Sequence, residues 1–228
     1  MSKRIVALLP MKAHSERVPG KNFRPMAGKP LMRWILDALL DVDAIAKVVI
    51  DTDARDLLKE IGVVDSDRVT IRDRKPELCG DMVSMNRILE DDIAAADADM
   101  YLMTHTTNPL ISAETIRDAI RCFDLNDGAD SLFSVNKTQT RFYRGDGEAV
   151  NHDPDNLVRT QDLEPWFEEN SCLYLFTKNS FAETGARIGR RPVMYETPPL
   201  ESIDIDEQHD WIVGEAVLER REREMVPE

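Results

Sequence analysis

Ile5 to Leu9 is an unbroken apolar run closed by Pro10, which predicts a strand buried on both faces. From Met11 to Gly28 the chain turns to Pro, Gly, Ser and basic residues, the pattern of a long loop. Leu31, Trp34, Ile35, Ala38 and Leu39 then repeat at helical spacing, so residues 30–40 predict an amphipathic helix with Pro30 at its start. Residues 47–51 read as a second strand, 54–61 as a helix and 69–71 as a short strand. A helix over 82–96 places Met85, Ile88, Leu89 and Ile93 on one face, and its Glu90-Asp91-Asp92 run reads as a solvated surface. A strand over 100–103, a helix capped by Ser112 and running to 123, and a strand over 130–135 continue the alternation. Such alternation predicts an α/β fold, a mainly parallel, doubly wound, Rossmann-like sheet with helices on both faces.

After Val135 the alternation fails. Residues 137–169 are polar and carry Gly145-Asp146-Gly147 between Phe142-Tyr143 and Ala149-Val150, a hairpin signal. The segment reads as a small arm inserted into a single domain over 1–228. Residues 172–177 and 192–195 return as strands, 203–205 as a short apolar strand flanked by aspartates, and 210–223 as a final helix.

Composition narrows the function classes. Asp and Glu number 43 against 29 Lys and Arg, a net charge of −14, which speaks against coating a nucleic acid or an anionic membrane. The first 34 residues depart from this balance, with eight basic side chains and only Glu16 as an acid. Two readings stay open for that segment, a local phosphate site or chance clustering of surface cations. Cys79, Cys122 and Cys172 are widely spaced, which argues against structural zinc and disulfides and for a reducing cytoplasm. No stretch has the length of a transmembrane helix.

Six segments could carry chemistry. The loop after the first strand offers Lys12, Ser15, Arg17 and Lys21, cations and a hydroxyl suited to a triphosphate, without the spacing of a P-loop. Asp204 and Asp206, two apart on an extended chain, project to one side and could share Mg²⁺, although an isolated Asp-x-Asp also ends many ordinary strands. Asp51-Thr52-Asp53 has the same spacing, but a turn with Asp53 capping the next helix is the preferred reading. Arg159-Thr160-Gln161-Asp162 with Glu168 to Ser171 could line a pocket or form a solvated connector. The loops at 74–81 and 104–110 follow strands, the latter at the edge where α/β sheets bind ligands, which places His105 there while His14, His152 and His209 read as surface residues.

Taken in order, these segments resemble the acylneuraminate cytidylyltransferases, the CMP-sialic acid synthetase-like nucleotidyltransferases. Ser15-Glu16-Arg17-Val18-Pro19-Gly20-Lys21-Asn22 and Gly28-Lys29-Pro30-Leu31 resemble the family's nucleotide signature. Asp51-Thr52-Asp53, Arg74 with Glu77-Leu78 and Asp81, Thr107-Asn108-Pro109-Leu110, Arg159 to Asp162 and Glu169-Asn170 match further motifs. Glu201-Ser202-Ile203-Asp204-Ile205-Asp206 with Asp210-Trp211 is the most specific. The resemblance implies transfer of CMP from CTP to the anomeric hydroxyl of a 2-keto sugar acid, releasing pyrophosphate. It implies Lys21, Asp204 and Asp206 as the catalytic set, with Mg²⁺ on the two aspartates. It further implies Lys12, Ser15, Lys21, Asn22 and Arg74 on the nucleotide, and His105, Arg159, Gln161, Asn170 and Tyr174 on the acceptor. The arm over 137–169 resembles a dimerisation element, so a homodimer is expected.

Four positions depart from the family pattern: Lys12 for Arg, Glu16 for a basic residue, Ser171 for Gly, and His105 for Gln. The last implies an acceptor other than N-acetylneuraminate. Two other classes stay open on sequence, a nucleotide-sugar glycosyltransferase with an Asp-x-Asp metal site and a nucleotide-binding regulator without turnover.

Overall fold

The computed structural model describes residues 3–80 and 82–225, so Asp81 of the Arg74 motif lies outside the described residues. In chain order the elements are β1 (Ile5–Leu8), a two-strand ribbon β2 (Pro25–Met26) and β3 (Lys29–Pro30), α1 (Leu31–Leu40), β4 (Ile45–Thr52), α2 (Arg55–Glu60), β5 (Val69–Asp73), α3 (Met85–Ala95), β6 (Met100–Met103), α4 (Ala113–Leu125), β7 (Ser131–Thr138), β8 (Trp166–Thr177), α5 (Lys178–Thr184), β9 (Pro192–Glu196) and α6 (Gln208–Met225).

Seven strands form one sheet in the order β5-β4-β1-β6-β8-β7-β9. β5, β4, β1 and β6 run parallel, β8 runs against both its neighbours, and β9 pairs parallel with β7. The pleat sorts the core. Ile5, Ala7, Val48, Ile50, Met100 and Leu102 face α1 and α4, while Val6, Leu8, Val49, Tyr101 and Met103 face α3 and α5. That is the expected doubly wound, mainly parallel sheet. The order reverses between β1 and β6, so the loops after these strands part there and open a crevice.

β8 starts at Trp166, six residues before the expected return to the sheet. Val135 to Thr138 pair with Trp166 to Glu169, so the roots of the arm are sheet and only residues 139–165 leave it. The hairpin signal survives as one bridge, Tyr143 with Ala149, around a tight turn. α5 carries no helical stripe in its sequence. It is two turns long, with Thr177 Oγ accepting from Ser180 N–H at 3.1 Å as its cap. Residues 203–205 do not form a strand. Among the described residues no helix is long and apolar enough to cross a membrane.

Candidate active site

A cleft of about 720 Å³ opens at the carboxyl edge of β1, β4, β5 and β6. Lys12, Ser15, Lys21, Asn22, Arg74 and His105 all line it, together with Arg17, Asp53 and Met85. Six of the residues proposed for nucleotide and acceptor thus meet in one place, from three separate loops.

The loop after β1 is built inward from both ends. Met11 N–H donates to Asp51 O at 2.9 Å, extending the β1–β4 ladder, and Val18 is buried in a third apolar cluster with Met26, Leu31, Ile205 and Trp211. Asn22 closes the loop: its Nδ2 donates to Lys12 O at 2.8 Å, and its Oδ1 accepts from Thr106 Oγ1 at 2.7 Å. That side chain therefore ties the loop to the chain after β6 and holds the crevice walls. Asp53 does not cap α2. Ala54 takes the cap position without a side-chain bond, and Asp53 Oδ1 instead accepts from the Ala13 N–H of the long loop at 2.7 Å.

Asp204 and Asp206 flank Ile205, whose N–H donates to Thr107 O at 2.8 Å with no ladder on either side. Ile205 is fully buried and the aspartates are partly exposed, so the expected alternation holds on an irregular segment. Gly214 of α6 lies against Ile205, where a Cβ would stand 2.8 Å from its Cδ1, so a larger residue there would have to displace the end of that side chain. Asp210 Oδ2 accepts from Asp206 and Glu207 N–H at 3.0 and 2.7 Å and fixes the turn that aims Asp206. The buried Lys21 donates from Nζ to Ile205 O at 2.6 Å and lies 3.4 Å from Asp206 Oδ1, which also pairs with Arg17 at 2.8 Å. Asp206 thus sits between two cations of the basic loop. Asp204 has a raised pKa, chiefly from burial, against a hydrogen bond from Thr107. Its Oδ1 is buried without a partner.

Among the described residues no group of three or more His, Cys, Asp or Glu converges on a metal position. Two carboxylates nevertheless fit Mg²⁺, which keeps waters and substrate phosphates in its shell rather than an all-protein cage. The unpartnered Asp204 Oδ1 is an acceptor of the kind such an ion satisfies.

Arg74 is buried against Asp51 at the end of β4: its Nε donates to Asp51 Oδ1 and its Nη2 to Asp51 O at 2.9 Å. Behind it, Arg72 binds Asp91 and Asp92 of α3. Asp92 is therefore not on a solvated helix face but fully buried. Burial, then the nearby Asp51, pushes its pKa up to about 7. Asp51 is raised too, chiefly by burial.

The acceptor-side set divides. His105 lines the cleft, and burial, then the charge of Arg187, lowers its pKa to about 4, so it is a neutral imidazole at pH 7. Asn170 is consumed by the structure. Its Oδ1 accepts from Ser134 Oγ at 2.6 Å and its Nδ2 donates to Asn136 Oδ1 and Thr197 Oγ1 at 2.9 and 2.7 Å, which pins the bulge in β8. Tyr174 is buried, its hydroxyl donating to Glu169 and its ring lying under the Arg187 guanidinium at 3.9 Å. Arg159 and Gln161 are exposed on the arm, Arg159 paired with Asp162, and neither lines the cleft. Arg17, read with the loop's triphosphate cations but given no role by the resemblance, also lines the cleft, and Arg187 is a cation that no motif marked. Arg17 stands in the same basic loop as Lys12 and Lys21, whereas Arg187 follows α5 in a loop that also holds Arg190 and Arg191.

Comparison with known proteins identifies the family. The chain is 29% identical over 222 residues to N-acylneuraminate cytidylyltransferase A of Danio rerio, across 94% of this chain and 50% of that protein. It is 28% identical over 242 residues to CMP-N,N'-diacetyllegionaminic acid synthase of Legionella pneumophila, across 98% of this chain and 100% of that one. The chain spans about half the length of the Danio rerio relative. The fold is similar to a CMP:2-keto-3-deoxy-manno-octonic acid synthetase complexed with CTP, with a TM-score of 0.68 at 13% identity over 96% of this chain and 99% of that one. It is also similar to the 4-diphosphocytidyl-2C-methyl-D-erythritol synthase of Anaerococcus prevotii, with a TM-score of 0.67 at 15% identity over 96% and 97%. Residues 6–211 match the cytidylyltransferase family, and the chain belongs to it.

Proposed function

We propose that this chain transfers CMP from CTP to the anomeric hydroxyl of a 2-keto sugar acid. The observation that carries the reading is the convergence of Lys12, Ser15, Lys21 and Arg74 on one cleft, with the Asp204–Asp206 segment held against Lys21. The hydroxyl oxygen bonds to the α-phosphorus, the bond from that phosphorus to the bridging oxygen breaks, pyrophosphate departs, and the hydroxyl proton passes to water. Such transfers are catalysed mainly by positioning and charge stabilisation. Lys12, Arg17 and Lys21 supply positive charge for the triphosphate, and Arg74, braced by Asp51, offers a fixed donor for the cytidine moiety. Asp204 and Asp206 would hold Mg²⁺, which when bound neutralises phosphate charge and acts as a Lewis acid. His105 presents one donor and one acceptor to the acceptor sugar.

The active form in this reading is a homodimer. The arm exposes Leu157 and Val158, and Trp166 and Phe167 at its root are exposed too, Trp166 stacked on Phe142 at 5.1 Å. An apolar surface of this kind calls for a covering partner. A second copy would also give Arg159 and Gln161, which do not line the cleft of their own chain, a site to reach.

Pyrophosphate release tests the proposal. With a nonulosonate acceptor, CTP should exceed UTP, ATP and GTP by 100-fold or more in kcat/KM, because a buried donor set rejects a base that leaves it unpaired. Equal use of UTP would favour a glycosyltransferase-like nucleotide site, and CTP binding without turnover would favour a regulator.

A further inference from the structure

Arg74 is braced by a carboxylate that a second arginine could take. Asp51 and Arg72 stand opposite each other in the β4–β5 register. Both side chains lie on the α3 side of the sheet, since Val49 packs there and Ile71 packs on the other face. Asp51 gives Oδ1 to Arg74, while its Oδ2 is buried with no partner. Burial raises the Asp51 pKa, and the charges of Arg74 and then Arg72 oppose the rise, so Asp51 already feels Arg72. Arg72 nevertheless turns the other way. Its Nη2 donates to Asp91 Oδ2 at 2.7 Å, and its Nη1 to Asp92 Oδ1 and, at 3.0 Å, to Asp91 O. Lys75, next to Arg74 in the chain, donates to the remaining Asp91 oxygen. Two acids of the Glu90-Asp91-Asp92 run are thus engaged beside Arg74, although neither lines the cleft.

We propose that Asp91 and Asp92 are positioning residues for the nucleotide: they hold Arg72 away from Asp51, which reserves that carboxylate for Arg74 and keeps its guanidinium set toward the cytosine base. The inference rests on the cytidylyltransferase reading and on the place of Arg74 in it. A mostly buried guanidinium does not stay without a counter-charge. With both acids neutralised, Arg72 would take the open Asp51 Oδ2, one carboxylate would serve two arginines, and Arg74 would lose part of its brace. Base preference reports that loss. A guanidinium can donate to both N3 and O2 of cytosine, whereas N3 of uracil is itself a donor.

The test is calorimetric titration of the full chain with CTP and with UTP at pH 8, above the Asp92 pKa of about 7, so that Asp92 is ionised. Wild type should bind CTP about tenfold or more tighter than UTP. In Asp91→Asn/Asp92→Asn the CTP Kd should rise about fivefold and the UTP Kd less than about twofold, with the circular dichroism spectrum of the wild type. Adding Arg72→Met removes the competitor, so the triple variant should return to within about twofold of the wild-type ratio, and Arg72→Met alone should keep that ratio. If the double variant does not fold, Asp91→Asn with and without Arg72→Met carries the same comparison. Equal weakening of CTP and UTP, an unmoved CTP Kd, or a triple variant no better than the double would overturn the inference. A wild type that binds CTP no tighter than UTP would instead remove the cytidylyltransferase reading beneath it.

Discussion

Asp204 and Asp206 differ in surroundings although they stand two residues apart. Asp206 is charge-paired with Arg17 and Lys21, while Asp204 is more enclosed, bonded to Thr107 and left with one unsatisfied oxygen. Asp204→Asn and Asp206→Asn keep the shape and remove the charge, so each should lower kcat by about 100-fold or more while the circular dichroism spectrum stays that of the wild type. Near-normal Mg²⁺-dependent turnover in both would refute their role. Asp92 gives a different signature. Its folded pKa stands near 7, above its ordinary value, so the folded state holds a proton that the unfolded chain has lost between about pH 4 and 7. Its contribution is complete at low pH and fades as pH rises through 7. Denaturant titrations should therefore show wild type losing stability relative to Asp92→Asn as pH rises from 4 to 8, and a constant difference would contradict the buried assignment. The sequence held half of this. Residue 92 lies on the same helical stripe as Met85, Ile88 and Leu89, but its charge made a surface position the natural reading, and only Arg72 on β5 explains why a carboxylate is buried there.

Elements with a strong period were legible. The alternating strands and helices up to β7 follow from apolar runs and 3.6-residue stripes, and Ser112 caps α4 as expected, its Oγ accepting from Thr115 N–H at 3.1 Å. The second half was harder because its strands carry polar residues that function as pins. Asn170, Ser134 and Thr197 bond one another inside the sheet, so their polarity marks a bulge rather than a loop. Arg187 left no signal, because a tight loop after a two-turn helix has no period. Ser171, read from the sequence as a departure from a motif glycine, sits in that bulge at φ 58°, in the left-handed region that costs a residue with a Cβ. Ser171→Gly should raise stability by about 1 kcal/mol, discounted by the greater freedom of glycine when unfolded, and by the Oγ contact with Tyr174 at 3.1 Å. A loss of stability in chemical denaturation would mean that the contact outweighs the backbone.

For the whole molecule, the sheet order places the crevice between β1 and β6, and the end of β7 and the start of the antiparallel β8 put the roots of the arm at the same carboxyl edge of the sheet. The proposed dimer follows from the arm's exposed Leu157 and from Phe167 at its root, so a Leu157→Asp/Phe167→Asp double variant should elute as monomer in size-exclusion light scattering at micromolar concentration. A dimer that persists would place the interface elsewhere. The central claim concerns chemistry and is tested by its product. The full chain is incubated with CTP, Mg²⁺ and a panel of 2-keto sugar acids, acylated nonulosonates and 3-deoxy-octulosonate among them, and the mixture is resolved by mass spectrometry. The account predicts a CMP-sugar adduct and pyrophosphate in equal amounts, both abolished in Asp206→Asn. Pyrophosphate without the adduct, or CTP left intact with every acid, would contradict it.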